Sequence, residues 1–585
     1  MTDAPHSSID TLLAIDIGTA TTRALLFDVV DGAYRFVACG EAPTTVNPPY
    51  REATEGLRHA IAEVQTVTGR TLFDDGAQLI MPSTTDGQGV DAVVATTSAG
   101  PAVRAVLVGL LPNVSLESVR HLAQSNYITV KDTFSLGDAR LEAERIDAVI
   151  AANPNVIIIA GGTDGGATEA LSKMLESVSL ACNFIPPEQH LRVLYVGNTA
   201  LREKVGELFS GVTTVYNADN VVPALGVENT LAARETLGQI FEAIRQEQLG
   251  GLTNIVTWAN GRVFPTAQAQ SEVIKFFSHA VGAGRGVLSV DVGSASTTII
   301  AGFGDEVNLH VRPDVGIGVN ATALLQEMPL ERILRWIPAE LTSADLRDFI
   351  YTKAAHPETI PADTADSYLE YALVRTALAS ALRRARRDWP RNAKGPRIGL
   401  MPWFEFVFGG GAALAHAPKA TIAAMLMLDA LEPVGITDFL LDPYHLAPAL
   451  GALAHIHPTA VVQIIDSGAF LSLGTTVSLI GGGRIGETLM TAVLQGPADE
   501  TRLDIKAGAL EFLDLPFNQS GKLTLKPRPG IDIGMGPGRG VKNREVVGGL
   551  AGLIIDARSR PIAFPPDPAK RRELVQSWLW KAGAE

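Results

Sequence analysis

Three stretches carry residue types whose spacing suits phosphate chemistry. In Leu12-Leu13-Ala14-Ile15-Asp16-Ile17-Gly18-Thr19-Ala20-Thr21-Thr22-Arg23-Ala24-Leu25-Leu26-Phe27-Asp28, an apolar run ends at Asp16 and another follows Arg23. The pattern reads as two β-strands joined by a tight turn. Gly18 lets the backbone bend back and approach a ligand. The exposed N–H groups and the hydroxyls of Thr19 and Thr21 suit phosphate oxygens. Asp16, at the end of a buried strand, is placed to hold a hydrated Mg²⁺ beside them. Arg23 can reach a phosphate with paired N–H groups or pair elsewhere. Alone, the stretch is as well read as an ordinary β-hairpin with a threonine-rich turn.

The layout recurs in Val287-Leu288-Ser289-Val290-Asp291-Val292-Gly293-Ser294-Ala295-Ser296-Thr297-Thr298-Ile299-Ile300. Asp291 takes the place of Asp16, and Gly293 and Ser294 take the place of Gly18 and Thr19. Two such hairpins suggest two related half-domains that face each other. The third stretch is Phe406-Val407-Phe408-Gly409-Gly410-Gly411-Ala412-Ala413, an apolar strand, three glycines and a small-residue helix start. Gly409, Gly410 and Gly411 would let a helix N-terminus lie flat against a nucleotide. A further glycine loop, Gly161-Gly162-Thr163-Asp164-Gly165-Gly166, follows an apolar strand and precedes a helix. Open α/β sheets bind ligands at that place. Asp164 is the candidate catalytic group there, orienting water or Mg²⁺; the other reading is a tight turn. The loop is neither a Rossmann fingerprint nor a P-loop, because no Lys-[Ser/Thr] follows.

The elements that must position these residues are legible in the apolar pattern. A strand at 34–42, a helix at 52–65 and a buried strand at 91–97 follow the first hairpin. Roughly 260 residues separate the two hairpins. Between them, strands are expected at 148–150, 156–160, 193–197 and 212–216, and helices at 102–111, 116–123, 141–145, 169–179 and 201–209. Such alternation implies a parallel, doubly wound sheet. The second hairpin leads to a third strand and loop at 314–320, helices within 325–395, a long helix at 369–388 and a loop at 391–397. Beyond 460, short apolar strands at 461–465, 476–479, 509–512, 522–525 and 553–555 suggest a small β-rich domain. A short amphipathic helix with Trp578 and Trp580 follows at 571–581.

Two phosphate hairpins followed by a triple-glycine turn resemble the actin/Hsp70/sugar-kinase ATPase superfamily. Ala447-Pro448-Ala449-Leu450-Gly451-Ala452 resembles its last helix, which packs between the lobes. The chain more closely resembles the MutL family of glutamate mutase accessory proteins. That likeness also runs through Ala95-Thr96-Thr97-Ser98-Ala99-Gly100, the 161–166 loop, Leu194-Tyr195-Val196-Gly197-Asn198 and Asn217-Ala218-Asp219-Asn220-Val221-Val222-Pro223.

The expected fold is α/β, and the resemblance covers roughly residues 11–460 of it. Its parts would be a first ribonuclease-H-like, actin-like lobe at 11–97, an inserted α/β domain at 98–250 and a second lobe at 251–460; the β-rich domain at 461–585 lies outside the resemblance. The resemblance implies ATP and Mg²⁺ as cofactors, with Mg²⁺ held by Asp16 and Asp291 mainly through waters. It also implies an accessory, chaperone or reactivase role toward an adenosylcobalamin-dependent mutase. No general base stands out, so ATP binding is better supported than hydrolysis. A small-molecule kinase of the same superfamily and a nucleotide-dependent scaffold are the competing readings.

Bulk properties narrow the field. The 585 residues exceed one core, so several domains are expected. A formal charge of −15 argues against nucleic acid or an anionic membrane as general partner. Two distant cysteines, Cys39 and Cys182, in apolar contexts suggest reduced thiols. The polar stretch at 1–10 resembles no signal peptide, and no apolar run reaches the length of a spanning helix. The expectation is a soluble cytoplasmic protein.

Overall fold

The computed structural model describes residues 9–166, 168–282, 284–390, 393 and 395–584. Most of the polar start, at 1–8, and residues 391, 392 and 394 of the expected loop lie outside the described residues.

The first hairpin opens an antiparallel meander of Leu12–Ile17, Thr21–Val30 and Ala33–Pro43. Ala92–Thr97 pairs parallel with the free side of Leu12–Ile17, and Val263–Pro265 pairs parallel beyond it. Along Leu12–Ile17 the side chains alternate between two cores. Leu13, Ile15 and Ile17 pack with Leu57, Ile61 and Val64 of the helix Ala53–Thr68. Leu12 and Ala14 pack with Leu446, Ala449 and Leu450 of the helix Leu446–Leu453. Burial on both faces explains the unbroken apolar run.

The second lobe repeats this topology. Gly286–Val292, Thr297–Phe303 and Glu306–Arg312 form the meander, and Phe404–Gly410 and Gly435–Leu441 continue in parallel. Within each lobe the strands stand in the order third, second, first, fourth, fifth. This is the two-lobed, actin-like α/β arrangement. The third strand is 306–312 rather than the expected 314–320. Residues after Arg312 instead fold back onto the phosphate-type turn, where Gly318 N–H donates to Ser294 O at 2.9 Å.

The first lobe is completed only after the insertion. Leu252 and Ile255 of the helix Leu252–Trp258 lie in the first-lobe core, and Val263–Pro265 forms its edge strand. The boundary expected at 251 therefore moves to the helix Thr266–Val281, which packs on the second-lobe sheet and crosses Leu446–Leu453.

The inserted domain is a parallel sheet of Val103–Gly109, Ile128–Phe134, Val156–Ala160, Arg192–Tyr195 and Thr214–Asn217, in spatial order 2-1-3-4-5. The helix expected at 102–111 is its first strand, a run apolar but for Arg104, with no period to distinguish strand from helix. The expected strand at 148–150 belongs to the helix Glu142–Ala152. The insert shares a core with the second lobe: Leu116, Val119 and Phe241 pack with Ile300, Leu309 and Val311.

The region after 461 is rich in strands but is continuous with the second lobe. Leu471–Ser478, Leu553–Asp556 and Leu510–Leu513 extend that lobe's sheet to eight strands. Thr488–Gln495, Glu500–Lys506, Ser520–Pro527 and Val541–Val547 form a separate four-stranded sheet. The strand expected at 461–465 is the helix Pro458–Asp466. His457 caps it through Ala460 N–H, and Pro458 occupies its first turn.

Buried ion pairs bind this region to the lobe. Arg375 Nε meets Asp429 Oδ2 at 2.6 Å, and Arg558 Nη1 meets Asp429 Oδ1 at 2.6 Å. Asp556 Oδ2 accepts from Arg558 at 2.8 Å and from Arg560 at 2.9 Å. Trp578, on the helix Pro568–Lys581, lies above Arg558 and donates to Gly508 O at 2.9 Å.

Candidate functional site

The two hairpin turns have the same construction. Gly18 N–H donates to Thr21 O at 2.9 Å, and Gly293 N–H donates to Ser296 O at 2.9 Å. Each turn follows an aspartate in the central strand. Asp16 stands opposite Arg23 on one side and Thr96 on the other; Asp291 stands opposite Thr298 and Gly410. The turns face each other across a cleft of about 740 Å³ that both lobes line.

One side chain spans the space between the aspartates. His445 Nδ1 lies 2.9 Å from Asp16 Oδ2, and its Nε2 lies 3.2 Å from Asp291 Oδ2. His445 adopts φ 58° immediately before the helix Leu446–Leu453. Asp442 fixes this turn by accepting Leu446 N–H at 2.7 Å and Ala447 N–H at 2.8 Å. Burial pushes Asp442 above the ordinary carboxylate range, against the pull of His445 and these donors. Burial also disfavours charge on His445, but Asp16 and Asp291 outweigh it and raise the imidazole to about 10. The two aspartates thus favour the protonated ring.

Asp16 is almost wholly buried and fully engaged. Its Oδ1 accepts from Thr96 at 2.7 Å and Thr266 at 3.1 Å, while Oδ2 faces His445. Burial raises its carboxyl, but His445, Arg23 and Thr96 bring it below the ordinary value. Asp291 differs. The His445 contact is close enough for an ion pair, yet Asp291 Oδ2 is buried without an aligned hydrogen bond.

Asp16, Gly18, Thr19, Thr21, Arg23, Asp291, Gly293, Ser294 and Gly411 all line the cleft. Arg23 pairs with Glu41 through Nε at 2.5 Å and lies 3.9 Å from Asp16. Ser294 Oγ accepts Val319 N–H at 3.1 Å, which ties the second turn to the loop behind it.

Gly409 and Gly410 are not among the lining residues. A Cβ on Gly409 would stand 2.7 Å from Met427 Sδ, and one on Gly410 would stand 2.6 Å from Asp291 Oδ2. Their absent side chains make room for packing and for the Asp291 carboxylate. Asp164 lies outside the cleft, in the inserted domain. Its Oδ1 accepts from Thr199 N–H at 3.0 Å and from Asn220 at 3.1 Å. These donors hold its carboxyl below the ordinary value and stabilise the loop ends. Gly166 and Thr168 line a separate surface cavity of about 920 Å³ with Glu142 and Lys173.

Sequence reasoning did not select His445, Asp442, Tyr127 or Lys353, all of which line the cleft. The Tyr127 hydroxyl bonds to Thr266 and the Ala267 backbone, and burial near Asp291 and Asp16 pushes the phenol upward. Lys353 pairs with Glu370 at 2.7 Å on the cleft wall. The available signal for His445 was a third apolar strand ending in an aspartate, Phe439-Leu440-Leu441-Asp442, directly before the alanine-rich helix.

The model of the MutL protein family matches residues 12–468, which contain both hairpins, the insert and the inter-lobe helix. The chain belongs to the MutL family. Protein MutL of Clostridium tetanomorphum is 23% identical over 406 residues, covering 64% of this chain and 84% of that protein. Among solved structures, nucleotide-free acetone carboxylase is 11% identical, covers 85% of this chain and 81% of its own, and has a TM-score of 0.30. A glycerol dehydratase reactivase is 12% identical, covers 76% and 99%, and scores 0.29. Xylulose kinase from Bifidobacterium adolescentis is 12% identical, covers 78% and 93%, and scores 0.27. Scores of this size bear on neither activity nor ligand. Among the described residues of this MutL-family chain, no helix is long and apolar enough to cross a membrane.

Proposed function

We propose that this MutL-family chain is an ATP-binding accessory protein that reactivates an adenosylcobalamin-dependent mutase of the glutamate-mutase type. The observation that carries the ATP reading is the pairing of two like turns across one cleft, with Asp16 and Asp291 joined through His445. The partner assignment rests on family membership.

In this reading the turns at Gly18, Thr19 and Thr21 and at Gly293 and Ser294 hold phosphate oxygens through backbone N–H groups and hydroxyls. Gly411 opens the helix start at Ala412, and both line the cleft where the adenosine would lie. The oxygen-rich donor set suits a hydrated Mg²⁺, and Asp291 lines the cleft beside the second turn. Asp291 would hold the ion directly or through water, and Asp16 would act from behind His445. Bound there, the ion would neutralise phosphate charge. His445 adds a fixed positive charge beside the same phosphates and links the lobes through their two aspartates.

Catalysis of hydrolysis is slow in this reading, because Asp16, Asp442 and Glu41 are already engaged and unsuited to activate water. Slow turnover fits a protein that uses ATP and ADP states to change its affinity for a partner. Closure and opening of two lobes would move the inserted domain attached to them.

The test is to inactivate the cognate mutase and incubate it with this protein, Mg·ATP and fresh adenosylcobalamin. Recovered mutase activity that requires ATP and is lost with Asp291→Asn supports the reading. No recovery, together with ATP consumption stimulated by a small alcohol or acid, would favour the kinase alternative.

A further inference from the structure

A second cluster of ligating side chains lies where the inserted domain meets the second lobe, and it does not line the nucleotide cleft. Glu117 and His121 are one turn apart on the helix Ser115–Gln124. Asp388 follows the long helix Thr364–Ala385 of the second lobe. One ligand atom from each of the three lies within 4.8 Å of the other two.

The His121 distances in this group are those of loose ion pairs and also suit a shared ion. His121 Nε2 is 3.6 Å from Glu117 Oε1 and 3.5 Å from Asp388 Oδ1. Both exceed a good N–H···O hydrogen bond of about 2.9 Å. Two ligands on a tetrahedral ion with bonds of about 2.1 Å stand about 3.4 Å apart. The other ring nitrogen of His121 is held differently: Nδ1 lies 3.0 Å from Glu228 Oε1. A carboxylate on the remote nitrogen orients a metal-ligating imidazole and leaves its near nitrogen free for the ion.

A neighbouring group supplies an independent observation. His310, on the strand Glu306–Arg312, is 2% exposed, and neither ring nitrogen has a hydrogen-bond partner. Its Nδ1 faces Asp388 Oδ2 at 3.7 Å. A buried imidazole with both nitrogens unmet is costly.

We infer that Glu117, His121 and Asp388 bind one divalent transition-metal ion of the zinc class, with Glu228 and His310 as supporting partners. One imidazole and two carboxylates suit such an ion better than Mg²⁺ or Ca²⁺, which prefer all-oxygen sites. Glu117 is half-exposed and leaves an entry path. The ion would pin the insert to the second lobe, so the two would move as one unit.

The experiment uses the full, untagged chain stripped of metal by a chelator. Zn²⁺ is titrated calorimetrically with millimolar Mg²⁺ present, and Co²⁺ is followed by its visible absorbance. The wild type should take up one Zn²⁺, melt at a higher temperature with it and develop the Co²⁺ band. His121→Ala and Glu117→Gln should each weaken Zn²⁺ on the order of 10–100-fold and lose the band. Glu117→Gln, on a half-exposed helix face, keeps the test valid where His121→Ala fails to fold. Absence of a saturable site, or affinity unchanged in both variants, would overturn the assignment. The cluster would then be an ion-paired imidazole alone. Mg·ATP binding plays no part in this readout, so either assignment can fail without the other.

Discussion

At the scale of single residues, the glycines of the third motif have separate duties. Gly410 faces Asp291 across paired strands, and a Cβ there would meet the carboxylate at 2.6 Å. Gly410→Val should therefore weaken Mg·ATP to the same degree as Asp291→Asn, because both disturb one carboxylate. Calorimetric titration checks this, and wild-type affinity in a folded Gly410→Val protein would refute it.

Another residue gives a pH signature away from the cleft. Burial raises Glu327, but Arg312 at 2.7 Å, Ser380 and Arg384 overcome it and lower its carboxyl to about 2. A depressed folded value stabilises above the ordinary value of 4.5 and is lost as pH falls toward about 2. The melting-temperature difference between wild type and Glu327→Gln should be full at pH 6 and shrink between pH 4.5 and 2. A difference independent of pH over that window would contradict the ion-pair origin.

At the scale of elements, the crossing of Thr266–Val281 with Leu446–Leu453 sets how the lobes meet. A Cβ on Gly451 would stand 1.8 Å from the Ala269 carbonyl oxygen. Gly451→Val must push the helices apart and should destabilise by about 3 kcal/mol or more. Denaturant unfolding measures it, and a change below about 1 kcal/mol would mean that the helices separate freely. Removing Arg558 would leave Asp556 with Arg560 alone and Asp429 with Arg375 alone, each one buried partner short. Arg558→Ala should then cost on the order of 3 kcal/mol in the same measurement.

The elements also show what the sequence made legible. Both phosphate-type hairpins were readable because Asp-x-Gly-[Ser/Thr] between apolar strands is a local pattern, and it occurs twice. The strand Val103–Gly109 was not, because a strand buried on both faces lacks the alternation that separates it from a buried helix. The helix Pro458–Asp466 was hidden by β-branched residues whose propensity the cap and tertiary packing override. His445 was invisible for another reason: its partner Asp16 is 429 residues away, and only the closed arrangement of lobes joins them.

At the scale of the whole molecule, the insert is joined to the first lobe through the chain and to the second through its core. A change of cleft angle must therefore strain or move it. The strands Leu471–Ser478, Leu510–Leu513 and Leu553–Asp556 are part of the second-lobe sheet, so their loss should unfold that lobe rather than release a spare domain. All of this organisation converges on the cleft, where the central claim is that Asp16 and Asp291 serve one Mg·ATP from opposite lobes. The most direct measurement is isothermal titration of Mg·ATP into wild type, Asp16→Asn and Asp291→Asn, each confirmed as folded by circular dichroism. The account predicts one site in the wild type and affinity weaker on the order of tenfold or more in each variant. Wild-type affinity in both variants, or no binding by the wild type, would contradict it.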